Sequence, residues 1–286
     1  MFPNHYYCLI AGLPDLVLAD KKLSISATAF REWLKIELHP ADFALVGRLF
    51  LPFDHNNIIN TMYQLSKPFD TRGLFSKEMI DLLVDKKEME NPQLAIFPTY
   101  MQEIIQSLLL SDEKMDEKQL GMTLQLAWYN DLENSGNSFL KLFAQFEQNF
   151  RNVLVALNGR KFNIPFEQEL VGDNEVTDAL KKSRSRDFGL ASVIEQIDSW
   201  VQLYETPGLI DRELMIDSLK WKFLDDATFF NYFTVEKIMA FVIKLQIVER
   251  WLALDDQLGR ELFTRLLADL QSEYEIPDEY KVRHGK

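Results

Sequence analysis

The side chains able to do chemistry in this chain are few and spaced badly for it. None of its histidines, His5, His39, His55 and His284, has a Glu three residues upstream. A di-iron site in a helical bundle needs that Glu-x-x-His interval to put both ligands on one face. H-E-x-x-H and C-x-x-C are absent as well, which removes the zinc sites built on them. The single cysteine, Cys8, excludes an intrachain disulfide and a thiolate-rich zinc centre, and is read as a small buried hydrophobe. The histidines are read as surface or interface residues. A phosphate cradle needs glycines spaced so that backbone N–H groups converge, and neither G-x-x-x-x-G-K nor G-x-G-x-x-G occurs. The expectation is a chain with no catalytic residue, cofactor or metal.

Two charged arrangements need weighing. Asp255 and Asp256, followed by Glu261, look superficially like the aspartate-rich metal motif of helical terpenoid synthases. That motif is followed by an N-D-x-x-S/T-x-x-x-E segment. Here Asn130 and Asp131 come first, with Asn134 and Ser138 at the required positions, so order and residues both fail. The acid pair is read instead as a helix boundary, capping a segment that begins near Gln257. The basic run KKSRSRD at 181–187 is a solvated loop or helix end, because one short run in an acidic chain is a weak phosphate signal.

The bulk properties agree with a protein that works through surfaces. A net charge of −13 and a pI near 4.9 disfavour nucleic acid and anionic lipid, both of which need a concentrated Lys/Arg face. At 286 residues and 47% hydrophobic, with 11 Gly and 10 Pro, the chain can bury a large core. The apolar stretch YYCLIAGL lacks a basic n-region and meets Pro14 and Asp15 at once, unlike a signal peptide. No run approaches the roughly 18 to 20 apolar residues that span a bilayer. The expected localisation is cytoplasmic, with any membrane contact made through partner subunits.

The elements that must build those surfaces are helices. Ser26 is placed to cap a segment bearing Phe30, Trp33, Leu34 and Leu38. Pro40 opens one with Phe43, Leu45, Val46 and Leu49, and Asp54 caps one with Ile58, Ile59, Met62 and Leu65. Asn91 and Pro92 start a longer helix running to Leu110, bent at Pro98. Asp116 with Gln119 forms a capping box ahead of Leu120, Leu124 and Trp128. Gly136 restarts a helix through Phe139, Phe143, Phe146, Phe150, Val153 and Leu157. Between Gly159 and Gly189 the composition turns polar and reads as a linker. Helices follow over 188–204, 210–224, 234–254 and 257–274, and the last residues fray. The helix over 234–254 is apolar on both faces, so it should be enclosed, with Phe241 and Leu245 on its most buried stripe.

The fold class is therefore all-α, in related helical units spanning 1–90, 91–172 and 173–286 of one compact assembly. A faint internal echo supports reuse of a unit. FDHNNIINTMYQLSKPF at 53–69 and FEQNFRNVLVALNGRKF at 146–162 share Phe, an acid, Asn at the fourth place and a closing Phe. Stacked units of that kind build curved or ring-like surfaces.

The motif Y-Y-x-L-I-A-x-L-P-D-L at 6–16 resembles a bacterial family that accompanies V-type ATPase genes. More broadly, the chain looks like a divergent member of the central-stalk connector family of V-type ATPases and ATP synthases. The motif positions are Tyr6, Tyr7, Leu13, Pro14 and Asp15. Glu147, Asn149 and Arg151 match loosely the connector family's acid, Asn and base on a helix. Phe233, Glu249 and Arg250 match its final Phe and apolar helix ending in Glu and Arg. The resemblance implies a non-catalytic central-stalk coupler with a pseudo-threefold funnel of helical units. Its partners would be the proteolipid ring and the coiled-coil axle subunit. An acidic surface would then suit basic residues on the axle tip. The alternative is a helical scaffold or regulator of another complex.

Overall fold

The computed structural model describes residues 4–18, 22–111, 115–206 and 208–273, and of 255–273 only the helical backbone. The described residues are helical, with no strand among them. In chain order the helices are α1 (Tyr7–Ala11), α2 (Ala27–Glu37), α3 (Pro40–Gly47), α4 (Leu51–Met62), α5 (Lys77–Val84) and α6 (Thr99–Leu110). There follow α7 (Glu117–Glu133), α8 (Ser138–Phe162), α9 (Glu175–Lys182), α10 (Ile197–Gln202), α11 (Leu209–Ala227) and α12 (Val235–Glu273). Short 3-10 turns link several of them, including Arg48–Phe50 and Pro92–Ile96.

Local chemistry sets most starts. Ser26 accepts from Ala29 N at 3.1 Å, and Pro40 occupies the first turn of α3 behind a His39 cap. Asp116 and Gln119 form the reciprocal capping box ahead of α7. Other expectations are corrected. Asp54 is not a cap: α4 already begins at Leu51, and Asp54 is fully buried within it. Pro98 breaks the 91–110 helix rather than bending it, because the ring holds Phe97 extended (φ −76°, ψ 148°) and α6 starts afresh at Thr99. The stretch 188–196 is turned, not helical, since Phe188 and Gly189 both take left-handed backbone (φ 57° and 73°). The boundary expected at 255–256 lies inside the continuous α12. Residues 274–286, with His284, lie outside the described residues.

Apolar side chains gather in two clusters. The first joins α2 to α7 and the start of α8 with the N-terminal half of α12. The second is built by the rest of α8 with α9, α10 and the turns around Leu170 and Phe188. The polar stretch 159–189 is thus no linker: Leu170, Val171, Val176, Leu180 and Phe188 are all buried. On α12, Ile238, Val242, Leu245 and Val248 are fully enclosed, whereas Phe241 is half-buried, edge-on to Phe30 at 5.0 Å. Cys8 is exposed, because the short α1 buries only Leu9. Among the described residues no helix is long and apolar enough to cross a membrane.

Candidate functional site

A recurring polar device organises the molecule. On α4, Asn57 Oδ1 accepts from Asp70 N at 2.8 Å while its Nδ2 donates to Asp70 O at 2.9 Å. On α8, Asn152 treats Val171 the same way, at 2.9 and 2.8 Å. Gln148, one turn before it, adds a bond to the same Val171 carbonyl at 3.0 Å. In both places a long helix holds the returning chain by both backbone groups. That chain then passes a glycine and enters a short capped helix, α5 behind Ser76 and α9 behind Asn174. The glycines fit the device: a Cβ on Gly73 would lie 2.2 Å from Asp54 Oδ1. A Cβ on Gly172, already at φ +81°, would lie 2.0 Å from Gln148 Nε2.

A related contact closes the chain on itself. On α12, Glu249 accepts from Ala27 N, the first residue of α2, at 2.7 Å. Here too a long helix holds the start of a short capped one, but the short helix comes from the opposite end of the chain. The echo at 53–69 and 146–162 aligns Asn56 with Asn149, and the structure moves that register by two residues: the equivalent pair is Asn57 and Asn152. Asn149 instead accepts from Asn174 Nδ2 at 3.0 Å.

Beside α4, the helices α2, α3 and α7 and the 92–98 segment enclose a cleft of about 860 Å³. Phe43, Leu51, Leu74, Phe75 and Phe97 make its walls apolar, and Ile96 stands 65% exposed at its edge. Its charged groups are mostly tied. Arg48 donates Nε–H to Asp131 at 2.8 Å and Nη1–H to Ala44 O at 3.2 Å. Arg31 donates to the carbonyls of Arg72, at 2.7 Å, and of Gly73, and to Glu32 at 2.9 Å.

Behind the cleft lining sit two buried titratable groups. Asp54 accepts from Leu74 N at 2.8 Å and Phe75 N at 3.2 Å. Burial pushes its carboxyl up to about 7, against the pull of those two N–H groups and of Arg31. His55 bonds Tyr100 at 2.8 Å, and burial holds its ring neutral down to about 3. His55 is therefore a core residue, not a surface one. The two groups act oppositely on stability: as pH falls below its ordinary value His55 disfavours folding, whereas Asp54 favours it. Asp54 keeps its proton in the folded state up to about 7 but loses it near 3.8 when unfolded. Its contribution is thus present at low pH and lost as pH rises through that window. Asp54→Asn removes it, so the stability advantage of the native protein over this variant should grow from pH 7.5 to pH 5. Urea midpoints at both values test this; a difference independent of pH would mean that Asp54 is ionised throughout.

The motif positions are knitted into the fold rather than gathered in a pocket. Tyr6 N donates to Phe233 O at 2.8 Å, and the Tyr6 hydroxyl donates to Asp42. Burial first, and then the Asp42 bond, push that phenol up to about 12. The Tyr7 ring lies 4.7 Å from Phe233, which brings the 6–16 motif onto the start of α12. Leu13, Pro14 and Asp15 follow beside Phe241 and Lys237. Glu147 pairs with Lys220 at 2.8 Å, and Arg151 donates to Glu169 O at 2.9 Å. Arg250 bridges Glu213 at 3.2 Å and the buried Asp217, which also accepts from Trp251 Nε1 at 2.6 Å. Around this junction Phe229, Tyr232 and Tyr7 are more than half exposed, and Phe230 is 82% exposed.

Asn57, Asn152, Arg31, Arg48 and Asp131 belong to no motif that sequence reasoning recognises as a site. The echo points to the helices that carry the first two, but its own Asn pair is Asn56 and Asn149. Among the described residues no three His, Cys, Asp or Glu side chains converge as a metal site would need. No curated protein and no solved structure matches the chain. Residues 3–274 match the family described as "Protein of unknown function (DUF2764)", and the chain belongs to that family.

Proposed function

We propose that this protein is the central-stalk coupler of a V-type rotary ATPase, joining the coiled-coil axle to the proteolipid ring. The observation that carries the reading is the reuse of one device on α4 and α8, an asparagine on a helix holding the returning chain by both backbone groups ahead of a short capped helix. A related single bond runs from Ala27 to Glu249 on α12. A part built from related units suits a partner with rotational symmetry, and the bond between α2 and α12 ties distant parts of the chain together, as a stiff torque-transmitting part requires. The resemblance of 6–16 to a bacterial family that accompanies V-type ATPase genes, and of 233–250 to the central-stalk connector family, supports it, and the two segments pack together. The cleft beside α4 is the proposed seat for the axle tip.

Such a part contributes geometry and makes or breaks no bond. Deleting it should leave a catalytic head that still hydrolyses ATP while ATP-driven ion uptake into membrane vesicles falls to background. Ion uptake that survives the deletion, or complexes purified through the axle that lack this chain, would end the coupler reading.

A further inference from the structure

We infer that the cleft beside α4 receives the end of a helix that presents apolar side chains and a carboxylate, not a basic tip. This rests on the coupler reading for the partner's identity, the axle, while the chemistry of the bound segment comes from the cleft alone. Size is the first observation. Two turns of an α-helix about 10 Å across, with a pitch of about 5.4 Å, occupy roughly 850 Å³. The cleft, about 860 Å³ and open to solvent, is of the scale of a helix end.

Its walls are the second. Phe43, Leu51, Leu74, Phe75 and Phe97 offer an apolar lining, and Ile96 is 65% exposed at the edge with no hydrophobic cover. A partner that lays apolar side chains there removes that surface from water.

Charge is the third, and it reverses the sign of the whole. The chain carries −13, yet the cleft holds Arg31, Lys35 and Arg48 against Glu32 and Asp131, three positive and two negative, a local +1. Both acids are already paired, Asp131 with Arg48 and Glu32 with Arg31. The Lys35 ammonium, in the last turn of α2, has no ion-pair or hydrogen-bond partner among the described residues. With Arg31 and Arg48 held by the two acids, a basic tip would meet the Lys35 ammonium and no unpaired acid, whereas a carboxylate finds Lys35 open. The overall acidity therefore misleads about this one site.

The test is site-specific photocrosslinking. A photoreactive amino acid replaces Ile96 in the full-length protein in its native cells, with Phe162, 59% exposed at the far end of α8, as the control position. The cross-linked peptide is identified by mass spectrometry. The expected product is a helical segment of the axle that carries apolar residues and Asp or Glu. Its yield should fall about fivefold in Lys35→Glu, in line with the roughly 1 kcal/mol scale of a partly exposed charge contact, and recover in Lys35→Arg. Lys35 is exposed, so both variants should fold, which circular dichroism checks. A segment of that chemistry from a different protein sustains the cleft inference and removes the coupler reading. A basic axle segment does the reverse. A second copy of this chain, a yield no higher than at Phe162, or a yield indifferent to Lys35→Glu overturns the inference.

Discussion

Leu245→Ala is expected to lower the unfolding free energy by about 2 to 5 kcal/mol, the range for a large-to-small change that leaves a cavity in a close-packed site. Leu245 is fully buried on α12 within the cluster that joins α2 to α7. Phe241, four residues before it, has its ring against Phe30 but stays partly open to solvent. Phe241→Ala should therefore cost less, roughly 1 to 3 kcal/mol, because water or neighbouring side chains can occupy part of the vacated space. Equilibrium urea unfolding of both variants decides the order. A larger loss for Phe241 would mean that its edge-on contact with Phe30, rather than depth of burial, sets the energetics of this stripe.

The second large effect is expected at the paired asparagines. Asn152→Ala leaves the Val171 N–H without its acceptor, and Val171 is only 2% exposed, so water cannot replace the lost partner. An unsatisfied buried donor costs about 1 to 3 kcal/mol, and with the lost side-chain packing the variant should lose roughly 2 to 4. The Val171 carbonyl keeps its bond from Gln148, which limits the damage. Asn57→Ala breaks the same two bonds at Asp70, but Asp70 is partly exposed and water can reach its backbone. The loss at Asn57 should be smaller by at least about 1 kcal/mol. Equal losses would mean that burial of the held backbone does not set the strength of this device.

The legible parts of this fold are those whose partners lie within one helical turn. Ser26, Pro40 and the Asp116 and Gln119 box act over three residues or fewer, and all stand where their types place them. Asp54 resembles another cap because an Asp ahead of apolar helical spacing reads the same at a helix start and inside one. Only its bonds to Leu74 and Phe75, 20 and 21 residues away, distinguish the two cases. The echo is visible in sequence but two residues out of register, since the gripping Asn follows the echo's Asn by one residue on α4 and by three on α8. The left-handed Phe188 leaves no trace in composition. For α12, apolar residues on both faces signal enclosure, but such a pattern cannot rank one stripe above another. The cleft is hidden because its cations come from α2 and the 48–50 turn and its acids from α2 and α7, and their sum is lost in a charge of −13.

The bond between Ala27 and Glu249 joins residues 222 apart in sequence, and this bears on biosynthesis. At about 5 to 20 residues per second, a ribosome takes roughly 10 to 45 s between delivering the two. Throughout that interval α2 has no α12 to lie against, and Phe30 and Leu34, fully buried in the finished molecule, lack part of their cover. The nascent chain therefore passes through a sticky stage that ends only when its last long helix leaves the exit tunnel. A chain truncated before residue 235 would remain in that stage and be a natural substrate for holdase chaperones and proteases. Quality control would thus come with the topology: only a chain translated through α12 can hide its beginning.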